Sequence, residues 1–289
     1  MHFSRITLSF GRHADRRDIP DLARTLKAGG YDVFIDDCPL PNGKRMESIK
    51  NINDGLEGTR AMMQAGFVLP AFGGSYNDAV IEALLQTKSA CYFLVEGYTE
   101  GQLSEINRLR ERRDGLSDQI FQLALSTYQV EAALRCTREY LYASKMYIRA
   151  RNNGILDGFQ RLHEDLQATV PGITGPVSVY ARFGLAHLAL GELIKVDCPE
   201  IATVADPSEN YITEIVPRLT GKAPYFASEA EVVRTMFAVL FSGFGTGIPE
   251  VDAFDAIGRE RGFLNLLDGI AGTRGASEKF RKAITAGSA

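Results

Sequence analysis

Within its first 35 residues the chain changes hydrophobic period twice, and this confines it to a small set of folds. Ile6, Leu8 and Phe10 alternate with Arg5, Thr7 and Ser9, which is the period of a strand. From Asp18 to Ala28 the period becomes helical. Asp18 can cap, Pro20 suits a first turn, and Leu22, Ala23 and Leu26 share one face. Gly29-Gly30 stops the helix. Tyr31 to Ile35 then reads as a second strand, with Asp36 and Asp37 at its C-terminal end. A strand–helix–strand unit of this length makes its two strands parallel neighbours in one sheet.

The alternation continues. Lys44 to Gln64 reads as a helix, with Met46, Ile49, Ile52 and Leu56 spaced by threes and fours. Gly66 to Pro70 reads as a short strand and Phe72-Gly73-Gly74-Ser75 as a turn. Asp78 to Gln86 reads as a helix and Ala90 to Val95 as a buried strand. From Glu105 to Asp165 strand signals vanish, and two or three long helices are expected, with Gly115 and Gly154 as weak points or turns. The opening charge run, EINRLRERRD, reads as a solvated helix face. Val170 to Pro176 is a loop, Val177 to Phe183 a strand, and Gly184 to Ile194 a loop followed by a short helix. Glu229 to Phe241, Ala253 to Arg261 and Ala276 to Ala286 read as further helices. The expectation is an α/β fold: a mostly parallel central sheet flanked by helices. It forms a single domain over residues 1–289, with a long helical insertion at about 102–168.

Composition narrows the class. With 289 residues, 45% of them hydrophobic, the chain can bury a sizeable core. Lys and Arg total 32 against 36 Asp and Glu, so neither a nucleic-acid partner nor a membrane surface is expected. The four cysteines, Cys38, Cys91, Cys136 and Cys198, show no metal-finger spacing and read as buried free thiols. MHFSRITLSF is too short and polar for a secretory signal, so the cytoplasm is the expected compartment; signal-independent export as an effector is compatible with the same sequence. Oligomeric state is not legible.

In an open parallel sheet, ligands bind beyond the C-terminal ends of the strands. That rule selects Gly11, Arg12, His13 and Asp15 after the first strand, Asp36 and Asp37 after the second, and Gly184 and His187 after the late one. Two of the four histidines fall in this set. Two imidazoles with a carboxylate can hold zinc, manganese or iron, or can move protons near neutral pH. Bound metal would lower the pKa of a water and supply hydroxide. Arg138 and Glu139, in TREYLYASKMYIRA, add a guanidinium to orient a substrate and an acid/base or supporting carboxylate. The glycine-rich SGFGTGIPE reads as a flexible loop, since an apolar helix rather than a strand precedes it.

The order of these features resembles the superfamily of Tiki/TraB-type metallopeptidases, erythromycin esterases and ChaN-like haem-uptake proteins. The late motif Gly184-Leu185-Ala186-His187 carries the likeness. Arg138-Glu139 with Ala143 is similar to the family's middle helix, and Asp36 stands where the family usually has Glu. Phe10-Gly11-Arg12-His13 departs from the family's first motif: the Gly is displaced, and a basic residue stands beside the site. The resemblance implies a hydrolase acting on an ester or amide of a small molecule or peptide. His13, Asp36 and His187 would be metal ligands or water-activating groups, beside Arg138 and Glu139. It also implies, as an alternative, a non-catalytic relative that binds haem or a partner. Over residues 5–95, GYDVFIDDCPLPNGKRMESI and Ser75-Tyr76 ahead of Glu82 resemble the TIR-domain pattern. On that alternative, Glu82 would be the catalytic carboxylate of an NAD hydrolase.

Overall fold

The computed structural model describes residues 2–11, 19–66, 76–87, 91–126, 129–170, 175–184, 187, 189–194 and 201–205, with positions 227, 232, 235, 236 and 239. Five strands form one sheet: β1 (His2–Gly11), β2 (Val33–Asp36), β4 (Cys91–Leu94), β6 (Pro176–Gly184) and β7 (Ile201–Ala205). Their order is β4-β2-β6-β1-β7. Every pairing is parallel. A two-residue parallel pair, β3 (Leu40–Pro41) with β5 (Gly97–Tyr98), lies apart from that sheet. The helices are α1 (Ile19–Gly29), α2 (Asn42–Gln64), α3 (Tyr76–Gln86), α4 (Glu100–Phe121), α5 (Val130–Thr169) and the short α6 (Leu190–Leu193). The fold is the expected α/β arrangement with a long helical region.

Pairing in register puts Ile6, Leu8 and Phe10 on the same face as Val179, Ala181 and Phe183. Val33, Ile35 and Phe93 join them. All are buried, each large one contributing about 1.5–3 kcal/mol of transfer free energy. Phe183 extends this packing to Phe10 and to Phe159 of α5, with ring centroids 6.0 Å apart in each case. The other face carries Thr7, Ser9, Phe34, Tyr92 and Tyr180, also buried. There Tyr31 Oη donates to Thr7 Oγ1 at 2.9 Å. Gly30, at φ +58°, supplies the left-handed turn that ends α1 and turns the chain into β2.

The face that α2 buries differs from the expected one. Met46, Ile49, Ile52 and Leu56 were the expected stripe; the buried residues are Arg45, Ile49, Asn53 and Leu56. Among the described residues β4 is an edge strand, so its outward backbone groups need partners from elsewhere. Asn53 provides two: its Nδ2 donates to the Tyr92 carbonyl at 2.9 Å, and its Oδ1 accepts from the Tyr92 N–H at 2.8 Å. A polar residue therefore wins the buried position because it completes the sheet edge.

Gly115 and Gly154 are not turns. Each lies inside a continuous helix, α4 and α5 respectively. The interruption comes instead at a π-helical segment, Gln122–Ser126. The charge run is the solvated face expected, with exposed Glu105 and Arg108 paired at 2.6 Å. β7 and the β3–β5 pair were not anticipated. Residues 67–75, including the expected strand to Pro70, lie outside the described set, as do the SGFGTGIPE loop and the last two expected helices.

Two compact units divide the chain. One comprises Met1–Ser104 and Ala150–Ser208; the other comprises Glu105–Arg149 and Glu209–Ala289. The first holds the sheet. In the second, Leu141 and Val232 form a buried cluster joined by Leu134 and Ala227. Val232, Thr235, Met236 and Val239 are helical and buried, the spacing expected for an amphipathic helix in that stretch.

Candidate functional site

Because all five strands run parallel, their C-terminal ends share one edge of the sheet. Asp36 closes β2, Glu96 follows β4 by two residues, and His187 follows β6 by three. Helix α5 contributes Arg151 and Asn152. All of these residues belong to the first unit.

The centre of the cluster is Arg151. Its guanidinium is ion-paired to the Glu96 carboxylate and lies 3.4 Å from Asp37 Oδ2. The same Asp37 oxygen is 3.5 Å from His187 Nε2. On the far side of the ring, His187 Nδ1 is 2.5 Å from Asn152 Oδ1. With the amide placed this way, Nδ1 is the donor, so Asn152 fixes both the ring plane and the tautomer. Phe183 meets the imidazole edge-on at 6.5 Å. The side chains of Glu96, Asp37 and His187 are 0, 2 and 3% exposed. A chain of ionisable groups is thus withheld from bulk water, in surroundings where electrostatic effects are larger than at a surface.

Burial pushes the Glu96 carboxyl up from the usual carboxylate range, against the pull of the Arg151 guanidinium. Tyr98 Oη donates to Glu96 Oε2 at 2.7 Å. Two glycines let α5 approach this segment. A Cβ on Gly154 would overlap the Tyr98 ring. One on Gly158 would sit 2.9 Å from the Val95 carbonyl carbon and closer still to its oxygen. Gly154 therefore serves close packing, which is why no turn forms there.

Asp36 and Asp37 separate in role. Asp36 accepts from Tyr92 Oη at 3.3 Å and from the Asp37 N–H at 3.0 Å. The carboxylate that faces His187 is Asp37. Cys38, next in sequence, is exposed rather than buried as expected. Its thiol is pushed up first by desolvation, then by Asp36 and Glu96. Cys91 and Cys136 are buried free thiols as expected, and Cys198 lies outside the described residues.

Of the other expected site residues, His13 lies outside the described residues. Arg138 and Glu139 are exposed and belong to the second unit. The site's arginine is Arg151, thirteen positions later on α5. Glu82 is exposed on α3. Glu96, Arg151, Asn152 and Tyr98 were missed, although two signals pointed to them. Glu96 directly follows the apolar run ACYFLV, so the strand-end rule applies to it as much as to Asp36. Asn152 falls within the buried stripe Ile148, Ile155, Leu162 of α5, where a polar side chain must find a partner.

No protein-family model, curated protein or solved structure matches the chain. Among the described residues, no three His, Cys, Asp or Glu side chains are grouped to hold a metal ion, and no helix is long and apolar enough to cross a membrane.

Proposed function

We propose that the chain is a hydrolase acting on an ester or amide bond of a small molecule or peptide, through the Asp37–His187–Arg151 cluster. The observation that carries this reading is the convergence of a buried imidazole, a carboxylate and a guanidinium at the sheet edge where parallel α/β folds bind ligands. His187 and Asp37 exchange a proton with an attacking water and the leaving group. Arg151, permanently charged, offers N–H donors to a carbonyl oxygen as it becomes an oxyanion. Glu96 holds that guanidinium in place, and Asn152 holds the imidazole. The Tiki/erythromycin-esterase resemblance, carried at Gly184-Leu185-Ala186-His187, supports the same reaction class. A divalent metal is given no step. Asp37 already faces one cation, and the described residues supply no set of three ligands.

The test is hydrolysis of 4-nitrophenyl acetate and of a fluorogenic peptide amide by the full chain. His187→Ala, Asp37→Asn and Arg151→Met should each lower turnover by about 10²–10⁴-fold while the protein stays folded. Full activity in all three variants overturns the proposal. Elemental analysis of wild type beside His13→Ala/His187→Ala tests the metal-assisted form. A near-stoichiometric divalent metal lost in the double variant would replace the metal-free scheme.

A further inference from the structure

Glu96 is the most deeply buried member of the site, and Arg45 lies against the main chain on either side of it. Arg45, in the first turn of α2, is 3% exposed. Its Nη1 donates to the Leu94 carbonyl at 3.0 Å and reaches the Val95 carbonyl at 3.4 Å. Its Nη2 donates to Asp165 Oδ2 of α5 at 2.5 Å. The guanidinium stands 5.7 Å over the Phe93 ring. On the other side of Glu96, a Cβ on Gly97 would fall 2.7 Å from Arg45 Nε, so the side chain lies directly against the Gly97 backbone. Arg45 therefore contacts residues 93, 94, 95 and 97, wrapping the main chain on both sides of residue 96. Among the described residues β4 has no strand partner on that side, and a planar fork can meet the Leu94 and Val95 carbonyls and a carboxylate at once.

We propose that Arg45 is a positioning residue for the site: anchored by Asp165, it fixes the backbone of Glu96, and through Glu96 the Arg151 guanidinium. This rests on the hydrolase reading for its kinetic consequence, but not for its structural one. Lysine keeps the charge and loses the fork, so Arg45→Lys should misplace Glu96 without removing a cation. Gly97→Ala should do the same by pushing Asn42 Oδ1, the atom nearest the new Cβ, and Arg45 aside while leaving every charge intact.

The experiment uses the full chain and 4-nitrophenyl acetate. Arg45→Lys and Gly97→Ala should each lower kcat by about ten- to a hundredfold, the scale of a misplacement of about 1 Å, with KM within about twofold. Introduced into Glu96→Gln, either change should lower kcat no further. A full kcat in Arg45→Lys, or effects that multiply independently with Glu96→Gln, would overturn the proposal. If wild type hydrolyses the ester no faster than His187→Ala, the hydrolase reading fails and urea unfolding decides the positioning claim alone. Midpoint losses from Arg45→Lys and Glu96→Gln that combine to less than their sum support coupling through residue 96. Strictly additive losses refute it.

Discussion

Gly158→Ala sets two known effects against each other, and the structure says which wins. In a helix interior the exchange should stabilise, since alanine is favoured over glycine by about 0.8–1.0 kcal/mol. At Gly158 the new Cβ meets Val95, with the carbonyl carbon and the side-chain Cγ2 each at 2.9 Å and the carbonyl oxygen closer. Backbone cannot rotate away, so either α5 or the Val95–Glu96 segment must move. Overpacking of this kind costs about 1–3 kcal/mol, and contact with a fixed carbonyl belongs at the upper end. The net expectation is a loss of about 1–2 kcal/mol. At about 2–4 °C per kcal/mol for a domain of this size, Tm should fall by about 2–8 °C. Gly55 of α2 is exposed and has nothing within 4 Å of a built Cβ. Gly55→Ala should therefore raise Tm by about 2–4 °C under the same conditions. Differential scanning calorimetry on wild type and the two variants makes the comparison. The displaced Val95–Glu96 segment should also cost Gly158→Ala part of its ester hydrolysis, whereas Gly55→Ala should keep all of it. A Gly158→Ala protein as stable as wild type would refute the close docking of α5 on the Val95 carbonyl.

Other expectations follow from the same contacts. Asn53→Ala removes the two hydrogen bonds that Asn53 makes to the Tyr92 N–H and C=O and should cost about 1–3 kcal/mol, read by urea unfolding; a change under about 0.5 kcal/mol refutes that role. Glu96 has a folded pKa raised above its unfolded one, so its contribution to stability is complete below the unfolded pKa and is lost as pH rises through the folded value. The Tm of Glu96→Gln relative to wild type should therefore rise with pH across that window and then level off; a flat or falling difference contradicts it. In a Cys198→Ser background, iodoacetamide should modify Cys38 in the folded protein while sparing Cys91, whose thiol burial pushes up to about 12, and buried Cys136. Modification of Cys38 should be slower than that of a free thiol at the same pH, because desolvation and neighbouring carboxylates hold its proton; faster reaction would contradict that environment.

The sheet was legible in the sequence because its strands bury both faces. Val33 to Ile35 and Cys91 to Leu94 are short apolar runs between turn residues, and Val177 to Phe183 is a mostly apolar run broken by Ser178 and Arg182, a signal that needs no tertiary information. Strand order was not legible. Placing β6 between β1 and β2 depends on residues more than 140 positions apart, and no local period records that pairing. The two-residue β3–β5 pair is too short to have a period at all. Helix α2 shows the same limit at the level of side chains. Arg45 and Asn53 look like surface residues in sequence, and they are buried where they hydrogen-bond backbone groups of β4, an edge strand among the described residues.

The site divides along the same line. His187 and the Asp36-Asp37 pair were found because a parallel sheet makes strand ends special wherever they occur. Choosing Asp37 over Asp36 needs the pleat: adjacent residues at a strand end face opposite ways, and only the structure shows which way His187 lies. Arg151 needs more still. α5 carries Arg135, Arg138, Arg149, Arg151 and Arg161, and sequence gives each the same chemistry. What singles out Arg151 is that Glu96 and Asp37 both reach it from strands it does not follow in the chain. A carboxylate as buried as Glu96 is costly without a cation and acceptable beside one, so the strand-end acid and the helix arginine imply each other. Breaking either alone leaves the other uncompensated. Arg151→Met should therefore destabilise the fold more than the double variant Arg151→Met/Glu96→Gln does. Unfolding midpoints of the two proteins, measured side by side, decide it: a double variant less stable than Arg151→Met would mean that the pair is not the unit the geometry indicates.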